Sequence, residues 1–404
     1  MKKTTLQIGL CLFILCGTSR CSKPVEKEQP PVNLEQTVEQ ILEHWKAPGA
    51  VLTIVKEDSI LFNKGFGSTR VEGGVPVTPK TMATVASVTK TINSVVFALL
   101  AEDSLVTWDD PVVQHIPEFY FVDDYRTRHT TIRDLITHRS GLPAIMADFW
   151  TIEYTMKDLL RDLPDAKPQI GFRERIDYCQ VGIALTGEIV KRVTGFTWPE
   201  YVKSRIISPL GMNNTFMGAT EFKRVYPDPT AVTNLMGRAE WDEDQLVDGQ
   251  WRASNDLYTP PAGMITTGED MAKYMIFLLN RGIADGKHLL SNTSIKNLFT
   301  PQLVDESWSK SMIRPGMKIL TYCLGWYAHE YESTGIVEHP GGGFGSSVIA
   351  LLPEEQVGVF VSSNANFGLE SLRMVGAIKL TAIDYALGLE RKDWISMFSQ
   401  QVSD

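Results

Sequence analysis

Apolar residues along this chain change their period twice. Leu34, Val38, Ile41, Leu42 and Trp45 recur at helical spacing behind Asn33 and Gln36, which supply a capping box, and Pro48-Gly49 stops that helix. Ala50 to Val55 and Ile60 to Phe62 then read as a β-hairpin around the polar stretch Lys56 to Ser59. From Ile92 to Ala101 the chain is apolar almost all round, which predicts a buried helix. Residues 102 to 262 alternate helical patterns with loops. Thr131 and Asp134 open one helix, which ends over His138 to Pro143 at a glycine stop, Gly141. Residues 181 to 193 form an amphipathic helix closed by Gly195, and residues 236 to 262 read as a long loop. Thr267 and Asp270 cap a helix carrying Met271, Tyr274, Met275 and Leu278.

From Ile336 onward the strand pattern returns. Val348 to Leu352 and Val357 to Ser362 flank Pro353 to Gln356 as a second hairpin, and a final helix runs from about Leu369 to Leu387. Strands at both ends with helices between predict an α+β fold. One antiparallel sheet is built from both chain ends and flanked by helices, with a mostly helical domain inserted. The α/β part spans about 34–86 and 300–395, and the helical part about 87–299.

Composition narrows the function class. The 404 residues carry a net charge of −9 without a basic cluster, which argues against nucleic acid as a partner. Met1-Lys2-Lys3 and the short apolar run Leu6 to Cys16 read as an export signal over residues 1–21, too short to span a bilayer comfortably. Export places the protein in the periplasm or cell envelope. Cys21 just beyond the apolar run resembles a lipoprotein attachment site, which would tether the chain to a membrane, although Arg20 is a poor match there. Residues 22–33 are charged and proline-rich and read as a linker. Two cysteines, Cys179 and Cys323, lie in the body of the chain, and their spacing leaves a disulfide and two free thiols both open. A monomer acting on a small-molecule or peptide substrate is expected.

The chemistry concentrates at Ser87-Val88-Thr89-Lys90, a polar turn opening into the buried helix. Ser87 and Lys90 sit three apart and share one helical face. An amine beside a hydroxyl at a helix N-terminus suits nucleophilic catalysis, with lysine taking the serine proton. A second Ser-x-x-Lys, Ser307 to Lys310, runs into Pro315-Gly316 and reads as a solvated loop. No Gly-x-Ser-x-Gly is present, and the seven histidines are scattered, so neither an α/β-hydrolase nor a metal site is expected.

Two further stretches fall in order behind Ser87: Tyr178-Cys179-Gln180 before a helix, and His339-Pro340-Gly341-Gly342-Gly343-Phe344-Gly345 before a strand. With Leu105 to Val112, Thr131 to His138, Pro209 to Met212 and Pro261 to Thr267, this order resembles the serine β-lactamase and penicillin-binding protein superfamily, in its class C-like branch. The resemblance covers roughly residues 35–388. It implies Ser87 as the acylated nucleophile, Lys90 as its base and Tyr178 as the partner in proton transfer. It also implies an oxyanion hole from the Ser87 and Gly342 N–H groups, and no cofactor. Gln180 stands where the family has asparagine, which moves the amide by one methylene. His339 stands where many members have lysine, which implies a weaker and pH-dependent anion partner. Gly341 to Gly343 are expected to let substrate approach the strand backbone. The implied function is an exported serine hydrolase acting on an amide or ester: a D-amino-acid peptide, a β-lactam or a small ester. The alternative is a non-catalytic or slowly turning-over penicillin-binding or sensor protein on the same fold.

Overall fold

Every residue from Gly49 to Val55 is buried, so the first strand is covered on both faces rather than one. A computed structural model describes residues 33–145, 154–226, 234–236, 257–304, 315–317, 319–343, 345–365 and 368–400. The export signal, Cys21, almost all of the linker, the second Ser-x-x-Lys, Phe344 and most of the 236–262 loop lie outside the described residues. Among the described residues, no helix is long and apolar enough to cross a membrane.

One antiparallel sheet dominates. Its strands are β1 (Gly49–Lys56), β2 (Ser59–Gly67), β3 (Leu303–Val304), β4 (Thr321–Tyr322), β5 (Tyr327–Tyr331), β6 (Thr334–Gly342), β7 (Ser346–Leu352) and β8 (Val357–Ser363), in the spatial order β2-β1-β8-β7-β6-β5-β4-β3. The two chain ends meet where β1 pairs with β8, from Ala50 opposite Ser363 to Lys56 opposite Val357. Both hairpins form where the period-two pattern places them. The C-terminal strands of the sheet nevertheless begin earlier than Ile336, at Leu303. Strands β3 and β4 have two residues each, too short to leave an alternation in the sequence.

Helices cover both faces. Helix α1 (Leu34–His44) and the long C-terminal helix (Leu369–Leu387) share an apolar core with one face of the sheet, through Val38, Ile41, Val359 and Ile378. The other face packs against the central helical segment. There Val337, Ile349 and Phe360 lie in one core with Ile92, Val96 and Ile183. The inserted helical part is thus packed onto the sheet rather than standing apart.

Helix α2 (Thr89–Glu102) is buried almost throughout, and a 3-10 turn over Ala86–Val88 feeds directly into it. Helix α3 (Ile132–Ile136) starts in the capping box that Thr131 and Asp134 provide. It stops earlier than expected, because His138 takes the left-handed conformation (φ 57°) three residues before Gly141. Helix α4 (Gln180–Thr194) runs to Gly195 (φ 76°), the expected glycine stop.

Candidate active site

Three segments converge where α2, α4 and β6 begin or end. Ser87 sits in the 3-10 turn, directly after Ala86, a non-glycine residue at φ 44°. Backbone strain of this kind persists only where surroundings over-determine it. Here Ser347 donates to the Val85 carbonyl at 2.9 Å, and Thr89 Oγ1 donates to the Ala86 carbonyl at 2.6 Å. A Cβ on Gly341 would lie 2.2 Å from Val85 O and 2.5 Å from Ser347 Oγ. Gly341 therefore serves close packing of β6 against the nucleophile turn.

Lys90 is 1% exposed. Its Nζ lies 2.8 Å from Gln180 Oε1, 2.9 Å from the Pro261 carbonyl oxygen and 3.2 Å from Ser87 Oγ. Burial holds the lysine well below its usual range, toward the neutral amine. A neutral amine has two N–H donors and one lone pair. Gln180 Oε1 and the Pro261 carbonyl can only accept, so they take both donors. The lone pair is left for the Ser87 hydroxyl. Gln180 reaches Lys90 at ordinary hydrogen-bond length, so its extra methylene is accommodated from the first residue of α4.

Tyr178 lies across the lysine, with Nζ 4.7 Å from its ring centroid. Burial, helped by Tyr327, pushes its phenol well above its ordinary value, and the Ser87 hydroxyl opposes that rise. Lys90 and Tyr178 are thus shifted in opposite senses, and both favour their uncharged forms.

His339 is 1% exposed, and burial with the nearby Lys90 lowers it to about 3. Its Nδ1 donates to the Pro340 carbonyl at 2.7 Å, and its Nε2 lies 3.3 Å from Tyr322 Oη. Burial beside Lys90 disfavours the charged imidazole, and both ring nitrogens have partners within hydrogen-bond distance.

The end of β6 offers backbone instead. Strand β5 pairs with β6 only as far as Glu338, opposite Tyr327, whereas β7 continues to pair through Gly342, opposite Ser346. Among the described residues, no strand pairs with the other edge of residues 339–342. Pro340 lacks an N–H, so its nitrogen faces that edge rather than the β7 ladder. The two-residue strand period turns the Gly342 N–H the same way.

Sequence reasoning did not single out three contributors. The Pro261 carbonyl is a backbone acceptor and leaves no mark in side-chain pattern. His138 packs against Tyr178 with ring centroids 4.4 Å apart, and its Nδ1 accepts from the Cys179 N–H at 3.1 Å. Tyr322 Oη stands 3.1 Å from His138 Nε2. Asp134 anchors the His138 turn, since its buried carboxylate takes Arg139 Nε at 2.5 Å and Arg173 Nη2 at 2.7 Å. Cys179 and Cys323 are both buried free thiols, so no disulfide joins them.

Comparison with known proteins follows the geometry. A family model described as Beta-lactamase matches residues 34–381. The unguisins hydrolase ungD of Aspergillus violaceofuscus is 26% identical over 404 aligned positions, covering 92% of this chain and 68% of that protein. Protein flp of Staphylococcus aureus (strain COL) is 26% identical over 348 positions, covering 82% of this chain and 63% of that protein. The chain thus spans about two thirds of the length of these relatives. Among solved structures, the octameric penicillin-binding protein homologue from Pyrococcus abyssi superposes with a TM-score of 0.73 at 24% identity, covering 91% of this chain and 80% of that one. A β-lactamase/D-alanine carboxypeptidase from Yersinia pestis gives 0.68 at 22% identity, covering 87% and 98%. A class C β-lactamase from Rhodobacter sphaeroides gives 0.66 at 20% identity, covering 88% and 99%.

Proposed function

The chain belongs to the beta-lactamase family, and we propose that it is an exported serine hydrolase acting through an acyl-enzyme on an ester or amide. One observation carries this reading: the buried Lys90 Nζ lies within hydrogen-bond distance of Ser87 Oγ, Gln180 Oε1 and the Pro261 carbonyl, and in the neutral amine the two obligate acceptors take its N–H groups and leave the lone pair for Ser87. Ser87 Oγ attacks the substrate carbonyl carbon while its proton passes to Lys90 Nζ. The ammonium so formed returns that proton, by way of the Tyr178 hydroxyl, to the departing amine or alcohol. The N–H groups of Ser87 and Gly342 receive the oxyanion, and each such donor contributes about 3 kcal/mol to the transition state. Water then attacks the acyl carbon, with the same amine accepting its proton, and releases the acid.

Substrate preference follows from His339. A lysine there would hold a substrate carboxylate, and a buried neutral imidazole with both nitrogens occupied does not. Esters and amides without a carboxylate beside the scissile bond are favoured over free D-alanyl-D-alanine peptides. Residues 1–21 direct export, and Cys21 offers a tether at the cell envelope. The protein acts as a monomer and needs no metal or cofactor.

The test is acylation followed over time. The protein is mixed with a fluorescent penicillin and, separately, with p-nitrophenyl esters, nitrocefin and matched D-Ala-D-Ala peptides as acid and amide. Labelling at Ser87 with turnover of the ester or amide upholds the proposal. Labelling without release identifies the slowly turning-over sensor. Full labelling of Ser87→Ala removes the assignment of the nucleophile.

A further inference from the structure

We infer that Tyr322 is a positioning residue, whose hydroxyl orders the imidazoles of His138 and His339 into one hydrogen-bonded chain joining the Tyr178 segment to the oxyanion strand. The inference rests on the reading of Ser87, Lys90 and Tyr178 given above, and it adds a residue that lies on none of their segments.

Proton positions along this chain follow from groups that have no choice. The Cys179 backbone N–H can only donate, so His138 Nδ1, 3.1 Å away, is the acceptor. A neutral His138 therefore carries its proton on Nε2, and that N–H donates to Tyr322 Oη at 3.1 Å. At the other end the Pro340 carbonyl can only accept, so His339 Nδ1 carries the proton and donates to it at 2.7 Å. His339 Nε2 is then an acceptor, and it receives the Tyr322 O–H at 3.3 Å. The phenol hydroxyl is the group that fits between, since it accepts on one side and donates on the other. Neither imidazole has a site left for a second proton without breaking a bond, in keeping with the depression of both by burial and by Lys90.

The ends of this chain are where catalysis would be sensitive to position. His138 packs against the Tyr178 ring, and its partner Cys179 is the next residue along. His339 and Pro340 lead directly into Gly342. One hydroxyl thus sets the spacing between the proton-transfer phenol and the oxyanion donor, two groups from distant parts of the chain. Tyr322 itself is fully buried, held edge-on by Tyr327 with ring centroids 4.7 Å apart.

The test combines spectroscopy with kinetics on the whole protein. With histidine labelled in ¹⁵N, long-range ¹H–¹⁵N correlation should show His138 as the Nε2–H tautomer and His339 as the Nδ1–H tautomer near pH 7. Tyr322→Phe keeps the ring and removes the hydroxyl. It should slow acylation by about tenfold or more while KM moves less than about threefold, because misplacement acts on the transition state rather than on ground-state binding. In the same variant the tautomers, fixed by the Cys179 N–H and the Pro340 carbonyl, should persist, while the Nε2 resonances of both His138 and His339 shift as they lose the shared hydroxyl. Tyr331→Phe, which removes from the same sheet a buried phenol that donates to Asp384 of the C-terminal helix, is the control. It should lower stability and leave both those resonances and the acylation rate unchanged. Any other pair of tautomers in the wild type overturns the inference, and that spectrum decides alone if Tyr322→Phe does not fold. If the wild type is acylated and Tyr322→Phe matches its rate, the positioning role falls and the proposed reaction stands. If the wild type takes no acyl group, the reaction falls and the role falls with it.

Discussion

Lys90 Nζ lies 2.8 Å from Gln180 Oε1, although the two residues open different helices and stand 90 positions apart in the chain. The contact uses one of the amine's two donors and so decides where its lone pair points. Gln180→Ala should slow acylation by roughly ten- to a hundredfold, since the amine is then free to turn away from Ser87. Gln180→Asn should fall between the two, because the shorter arm from the same helix position stops short of the lysine. Rapid-quench labelling with an acylating probe measures both. An alanine variant that labels at the wild-type rate would show that the amide does not orient the base.

The depression of Lys90 by burial sets the pH dependence. Acylation requires the neutral amine, so the rate should rise with pH through the lowered lysine value and level off below the usual lysine range near 10.4. Stability moves in the same direction. Between the folded and the unfolded pKa the unfolded chain binds the extra proton, so stability increases with pH across that interval. Lys90→Met lacks the titrating group. The wild type should therefore gain stability on Lys90→Met from pH 7 to pH 10, read as the difference in urea midpoints, while the variant forms no acyl-enzyme. A constant difference across that range would show that Lys90 is charged in the folded state.

The stretches legible in the sequence were those with a strong period or a local cap. Both hairpins, α1, the helix from Leu369 and the capped start at Thr131 follow from side chains that act within a few residues. The pairing of Ser87 with Lys90 was legible for the same reason. What stayed hidden acts across the chain. Pro261 contributes a carbonyl, which no side-chain pattern reports. His138 and Tyr322 carry their roles through contacts 41 and 184 residues away in sequence. Strands β3 and β4 are two residues each and depend on neighbours rather than on alternation. At His339 residue type suggests a titrating cation, and the burial beside Lys90 that disfavours its charge is not visible in the sequence.

Asp134 links the candidate site to its scaffold. Burial alone would raise its carboxyl, yet hydrogen bonds from Arg173, Thr131 and Arg139 hold it below the usual carboxylate range. The same residues fix the His138 turn, since Arg173 N–H donates to the Arg139 carbonyl and Asp177 N–H to the His138 carbonyl. Asp134→Ala leaves two guanidinium groups without their shared partner, one of them largely buried, and should cost about 3 kcal/mol in chemical denaturation. Acylation should fall as well, because Tyr178 follows directly on the segment that loosens. Intact stability in this variant would show that the two arginines find other partners.

Behind the active-site strand, Glu338 and Lys379 form an ion pair at 2.7 Å with each side chain 1% exposed, and His329 Nε2 lies 3.5 Å from the same carboxylate. Burial opposes the charge on Glu338, but the lysine beside it prevails and brings the carboxyl down to about 2. Neutralising one partner strands the other, so Glu338→Gln or Lys379→Met alone should cost about 3–5 kcal/mol. Replacing both together with leucine and methionine should recover most of that loss, because two apolar side chains need no desolvation to be repaid. The sign with pH is opposite to that of Lys90. A carboxyl lowered by folding contributes stability that is present above its unfolded value near 4.3 and is lost as pH falls toward about 2. Thermal midpoints of the wild type and the double variant should therefore converge, then cross, on acidification from pH 6 to pH 2. A double variant as unstable as either single one would show that His329 and the surrounding strand require the charges themselves.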